Sequence, residues 1–238
     1  MNNFSTLDLT QRNGRLNALL QINAGTRYLE IGVSKGETFH KVAADFKVAV
    51  DPRFLFDFQS RQAGNTRYFQ CSSDEYFSRH SRECGKFDLI YLDGLHTFEQ
   101  TFRDLLCSIS LIHDRSLILI DDTMPTNFIA GESELSRHLE LRTITGIPDQ
   151  SWMGDVYKIV IAVHDFMPLW SYVTFPGHGQ TILFQRPREN FVPVLNSLFE
   201  ISRISYTDFL LHRKAGLFNV AATPRAALAQ VEACFEAP

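Results

Sequence analysis

Residues 87–123, FDLIYLDGLHTFEQTFRDLLCSISLIHDRSLILIDDT, constrain the fold more than any other part of the chain. Phe87–Leu92 is a short apolar run that ends in an acid, Asp93. From Thr97 to Leu111 the apolar residues Phe98, Phe102, Leu105, Leu106 and Ile109 recur at helical spacing. Leu117–Ile120 is a second short apolar run, and it ends in two acids, Asp121 and Asp122. Strand, helix, strand reads as a βαβ unit whose strands are parallel and buried on both faces. Parallel strands end on the same side, so Asp93, Asp121 and Asp122 are expected at one carboxyl edge of the sheet, where open α/β sheets bind ligands. His96, three residues after Asp93, points toward that edge from the first turn of the helix. Three carboxylates and an imidazole there could supply oxygen ligands for a hard divalent cation and a general base. Acids after strands also cap helices, and a histidine near a helix start also bonds to a cap, so each group has a structural alternative.

The chain has 238 residues, 45% of them hydrophobic, enough for one α/β domain with a sizeable core. Its net charge is −4 and its basic residues are scattered, which gives no nucleic-acid footprint. Four widely spaced cysteines form no C-x-x-C pair, and no apolar run reaches membrane-spanning length. No signal region is read at the N-terminus, so a reducing cytoplasm is the expected compartment and no membrane partner is expected.

In chain order, Met1–Phe4 is expected to be loose and Leu9–Ile22 to form an amphipathic helix. Strands are expected at Arg27–Ile31, Phe46–Val50 and Thr66–Gln70, and a terminal antiparallel hairpin at Trp170–Thr174 and Thr181–Phe184, turning at Pro176-Gly177-His178-Gly179. The expected fold is thus α/β, a doubly wound, Rossmann-like, mostly parallel seven-stranded sheet, with further helices at the C-terminus. Residues 1–186 read as the ligand-binding domain and 187–238 as a helical extension with helices at Phe191–Ile204, Tyr206–Leu217 and Ala226–Phe235. Those helices could cover the sheet or join two copies in a homo-oligomer. Between the acidic strand end and the next helix, Thr123–Gly154 is irregular around a short helix at Glu132–Leu141. Its position suggests a lid or substrate loop. Asp155 is expected to cap a helix at Val156–Phe166.

The first strand runs into Glu30-Ile31-Gly32-Val33-Ser34-Lys35-Gly36, followed by an expected helix. Its glycines would let backbone approach a ligand closely. Asp51 ends the next strand about 20 residues on, where adenine-nucleoside binders hold ribose hydroxyls. A dinucleotide fingerprint would need a second glycine where Val33 and Ser34 stand, and Glu30 is unwelcome beside a pyrophosphate. Glu30 suits a ligand with an ammonium group, which favours S-adenosylmethionine over a nicotinamide cofactor. Ser73 and Asp74, after the third strand, either cap the following helix or touch the adenine.

Glu30–Gly36, Asp51 and Asp93-Gly94-Leu95-His96 together resemble class I S-adenosylmethionine-dependent methyltransferases. The closer likeness is to the macrocin and mycinamicin sugar O-methyltransferases, and it spans Tyr28–Phe184. Gly154-Asp155-Val156-Tyr157-Lys158 is also similar to that branch, with Lys158, Trp152 and Tyr157 as acceptor-pocket candidates, although Lys158 could equally lie on a solvated helix face. In its metal-site pattern the chain resembles catechol O-methyltransferase. The resemblance implies Mg2+ held by Asp93, Asp121 and Asp122, His96 as general base, and cofactor contacts from Glu30, Gly32, Gly36, Asp51, Ser73 and Asp93. It implies O-methylation of a small-molecule hydroxyl of sugar or natural-product type. Two alternatives stay open: methyl transfer without a metal, and a non-catalytic protein that binds the cofactor.

Overall fold

The structure is a computed structural model that describes residues 4, 6–62, 64–177 and 179–236. Seven strands form one sheet in the order β3-β2-β1-β4-β5-β7-β6. They are β1 (Arg27–Ile31), β2 (Phe46–Val50), β3 (Thr66–Phe69), β4 (Leu89–Leu92), β5 (Leu117–Ile120), β6 (Trp170–Thr174) and β7 (Thr181–Gln185). The first five are parallel; β7 runs antiparallel between β5 and β6. The strand order therefore reverses at β1, which pairs with β2 on one side and β4 on the other. That is the switch point where a doubly wound sheet opens a ligand crevice.

Alternation along the strands builds two cores. Tyr28, Leu89, Tyr91, Leu117 and Leu119 face α1 (Arg12–Asn23), together with Leu16 and Leu19 of that helix. Leu29, Ile31, Ile90, Ile118 and Ile120 face the opposite way, toward α3 (Phe98–Ser108) and α5 (Lys158–Phe166). All four residues of β5 are fully buried, and each such side chain contributes about 1.5–3 kcal/mol by leaving water. Between these elements lie α2, a helix over 73–84 with a wider turn at Tyr76–His80, and α4 (Leu135–Thr145). Residues 187–236 pack onto both cores. Ile201 of α6 (Leu198–Ser202) and Phe209 of α7 (Tyr206–Lys214) join the α3–α5 side, and Leu228 and Val231 of α8 (Pro224–Glu236) join α1.

Several expectations need correction. Residues 1–3 lie outside the described residues, but Phe4 is buried in the α1 core rather than loose. No helix follows Gly36, only a 3₁₀ turn at Phe39–Lys41. There the backbone is satisfied from outside: Lys47 Nζ donates to Phe39 O and Val42 O, and Asn17 bonds Lys41 O and Ala43 N. The helix expected at Phe191–Ile204 is only Leu198–Ser202. Pro193 cannot donate within a helix, and the buried Asp165 carboxylate takes the N–H groups of Val194, Leu195 and Asn196 instead. The β6–β7 turn lies where expected, with Phe175 N donating to Gln180 O; His178 lies outside the described residues. Among the described residues no helix is long and apolar enough to cross a membrane.

Candidate active site

The carboxyl ends of β2, β1 and β4 open into a cavity of about 740 Å3 lined by Glu30, Gly32, Asp51, Ser73, Asp93 and His96, among others. Its floor is the turn after β1. Gly32 lies at φ +88°, and a Cβ there would stand 1.9 Å from Asp93 O, so the turn can rest on the end of β4 only without a side chain. Gly36 N donates to Val33 O and closes the turn. Asp51 holds the turn from the other side, with one carboxylate oxygen accepting Ser34 N at 2.8 Å and the other Arg53 N at 2.7 Å. Glu30 is 1% exposed. Burial pushes its carboxyl well above the usual range, although the Tyr28 hydroxyl donates to it at 2.5 Å.

The far wall involves α2 and α3. The cap of α2 is Ser72, whose hydroxyl accepts Glu75 N, so Ser73 lines the cavity and accepts from Gln100 Nε2 at 3.1 Å. Gln100 also donates to Asp104, which is 2% exposed. Burial raises the Asp104 carboxyl to about 6, with Asp74 adding to the effect, while bonds from Ser73 and Gln100 and the charge of Arg103 work against it. The folded chain thus binds this proton more tightly than the unfolded one. The stability it brings is present at low pH and is lost as pH rises through 6. Asp104→Asn should therefore stabilise the protein more at pH 7.5 than at pH 5, by on the order of 1 kcal/mol. Denaturant melts at the two pH values check this, and an equal effect at both would show that the carboxyl does not titrate there.

Asp93, Asp121 and Asp122 emerge at one edge, as expected, but not toward one point. A ring nitrogen of His96 and one carboxylate oxygen each from Asp93 and Asp122 lie within 4.8 Å of one another. His96 Nε2 is 3.2 Å from Asp122 Oδ2 and 3.6 Å from Asp93 Oδ1. Asp121 instead takes Arg12 Nε at 2.7 Å and the Tyr91 hydroxyl at 2.5 Å. Burial and the neighbouring charges of Asp93 and Asp122 push the Asp121 carboxyl up to about 7. Burial works against a charged His96, yet bonding to Asp93 and the charges of Asp122 and Asp93 lift it to about 9. The two carboxylate oxygens are donors that fit a hard divalent cation with open positions for water or substrate, and the imidazole nitrogen stands beside them.

His96 is oriented by the segment 152–155. Its Nδ1 donates to Trp152 O at 2.6 Å, which leaves Nε2 as the nitrogen facing the acids. Trp152 also packs on the imidazole, with ring centroids 5.3 Å apart, and donates through Nε1 to Glu132 O. Asp155 does not cap α5. Its Oδ1 accepts Phe98 N at 2.7 Å and so caps α3, while Oδ2 pairs with Lys158 Nζ at 2.8 Å. Lys158 is buried and also donates to Ser202 O, and Tyr157 is buried with its hydroxyl on Ile204 O. Both hold the C-terminal segment rather than lining the cavity. Residues 123–154 reach the site through Trp152 and Gly154, and none of them lines the cavity. The sequence reading missed Arg12 and the Trp152 carbonyl.

Residues 29–123 match a family model described as a methyltransferase domain. No curated protein matches the chain. Among solved structures the chain is similar to an SAH-bound methyltransferase of Podospora anserina, at 14% identity and TM-score 0.50, covering 74% of this chain and 78% of that one. It is also similar to the cofactor-bound protein Rv0187 from MTB, at 15% identity and TM-score 0.51, covering 75% and 82%. A third is a Staphylococcus aureus protein provisionally assigned as a caffeoyl-CoA O-methyltransferase, at 12% identity and TM-score 0.50, covering 76% and 87%. At such identities the likeness shows the fold.

Proposed function

We propose that the chain is a class I S-adenosylmethionine-dependent methyltransferase and that it methylates a small-molecule hydroxyl of sugar or natural-product type, with a divalent cation held by Asp93 and Asp122. The observation that carries this reading is the convergence of Asp93, Asp122 and His96 Nε2 beside the Gly32–Asp51 cavity, which Asp93 and His96 line. In that cavity Asp51 would take the ribose hydroxyls of S-adenosylmethionine and Ser73 the adenine side. Glu30 would face the ammonium group, whose charge offsets the desolvation of the buried carboxylate.

Methyl transfer breaks the S–CH3 bond, forms an O–CH3 bond, leaves a neutral thioether and releases the hydroxyl proton. An alkyl hydroxyl is a weak nucleophile near neutrality, so that proton needs an acceptor in place. His96 Nε2 fills the role in geometry, since Nδ1 is committed to Trp152 O and the ring cannot turn without losing that bond. When bound, a Mg2+-like ion would polarise the acceptor hydroxyl and take up the carboxylate charge that otherwise keeps the proton on His96. Asp93 links the two halves of the site, being on the cavity wall and beside His96.

A second reading, methyl transfer without a cation, is favoured by one contact: the Arg12 guanidinium already lies between Asp121 and Asp93. The experiment is release of S-adenosylhomocysteine with a vicinal-diol or sugar acceptor, before and after EDTA treatment. The expected result is loss of turnover with EDTA and its return with Mg2+. Full turnover in EDTA would leave only the cation-free reading.

A further inference from the structure

The two acids that end β5 serve different partners, and the strand's alternation assigns them. Leu117 and Leu119 face α1, so Asp121, next in that register, also comes out on the α1 side. Asp122 follows with φ +59°, a left-handed conformation that aspartate tolerates, and its carboxylate lies against His96. On the α1 side both oxygens of Asp121 are engaged. Oδ2 accepts Arg12 Nε and the Tyr91 hydroxyl, and Oδ1 accepts Asp122 N. Tyr91 is held in turn by Gln180, and Gln180 by Arg15 one turn along α1 from Arg12. Arg15 Nε donates to Leu9 O, which fixes the start of the helix. A cation that recruited Asp121 would have to displace charge-assisted bonds, the stronger class of hydrogen bond.

We propose that Arg12 is the resident counter-ion of Asp121, keeping that carboxylate out of the cation's coordination and so setting how tightly the site holds a divalent ion. The inference rests on the reading that Asp93 and Asp122 hold the cation. Arg12 is 40% exposed in its side chain and stands on the cavity wall, 3.8 Å from Asp93. Its charge therefore acts on the cation directly by repulsion as well as through Asp121. A purely structural ion pair at the start of α1 would alter the melting temperature and leave cation affinity alone.

The test is calorimetric titration of Mn2+ into the metal-stripped full chain with S-adenosylhomocysteine present. It compares wild type, Arg12→Gln, Arg12→Met and the double variant Arg12→Gln with Asp121→Asn, each with its melting temperature recorded. Loss of the adjacent positive charge and release of Asp121 should tighten Mn2+ binding by roughly tenfold or more in both single variants. The double variant should return to within about threefold of wild type, because it removes a negative charge together with the positive one and takes away the carboxylate that the single variants release. Arg12→Met guards against a folding defect peculiar to one substitution. If Mn2+ binds wild type and the single variants equally, or if the double variant keeps the gain, the Arg12 inference is overturned while the cation reading stands. If no protein binds Mn2+, the cation reading itself fails and takes the inference with it. Binding by the Arg12 variants alone would support the inference in its extreme form, with arginine standing in for the ion.

Discussion

His96→Gln should lower kcat by on the order of 10²–10⁴-fold, with the affinity for S-adenosylhomocysteine held within about threefold of wild type, since the cofactor's groups are assigned to other residues. Glutamine is close in length and offers an N–H toward Trp152 O, so the variant tests the basic nitrogen rather than the space it fills. Nδ1 of His96 is spent on that carbonyl at 2.6 Å, and Nε2 stands 3.2 Å from Asp122 and 3.6 Å from Asp93. No other described imidazole joins that cluster. Single-turnover rates at neutral pH, with cofactor binding measured by calorimetry, separate loss of chemistry from loss of binding. A variant that turned over as fast as wild type would mean the hydroxyl proton leaves by another route.

How far a single sequence reveals this site depends on whether the cause of each feature is local. β1, β2 and β5 fall on the expected residues because an apolar run closed by Gly or Asp marks a buried parallel strand with little ambiguity. The parallel arrangement then forces Asp93 and the Asp121-Asp122 pair to one edge. That much of the site follows from topology. The different facing of Asp121 and Asp122 was in principle readable from strand alternation, but it needs the helix that covers each face. Arg12 comes from a helix some eighty residues before β4, and no local spacing ties it to Asp121. Trp152 acts through a backbone carbonyl, which any residue carries. Asp155 shows the same limit: it precedes one helix in the chain and caps another in space. The absent helix after Gly36 is a tertiary override, since Asn17 and Lys47 satisfy backbone that a helix would otherwise have paired with itself.

Gly154→Ala should cost the enzyme on the order of 2–4 kcal/mol of stability and bring its turnover near that of His96→Gln. Gly154 lies at φ +60°, and a Cβ on it would stand 1.6 Å from His96 O and 2.9 Å from His96 Cβ. Backbone atoms cannot give way as a flexible side chain can, so one of the two segments must move. Residues 152–155 grip 96–98 at three points: the Trp152 carbonyl on Nδ1, the bare Cα of Gly154 against His96, and the Asp155 carboxylate on Phe98 N. Moving the segment would release the bond that fixes the ring tautomer and aims Nε2 at the acids. The tautomer is readable from the ¹⁵N shifts of the imidazole, which should show a single Nδ1–H state in the wild type above the ring's pKa and a mixture in the variant. Asp155→Asn provides the comparison, because it retains an oxygen for Phe98 N while losing the Lys158 ion pair. It should lose stability with the His96 tautomer intact. Were Gly154→Ala to keep both its melting temperature and its rate, the segment would be a neighbour of His96 without being what positions it.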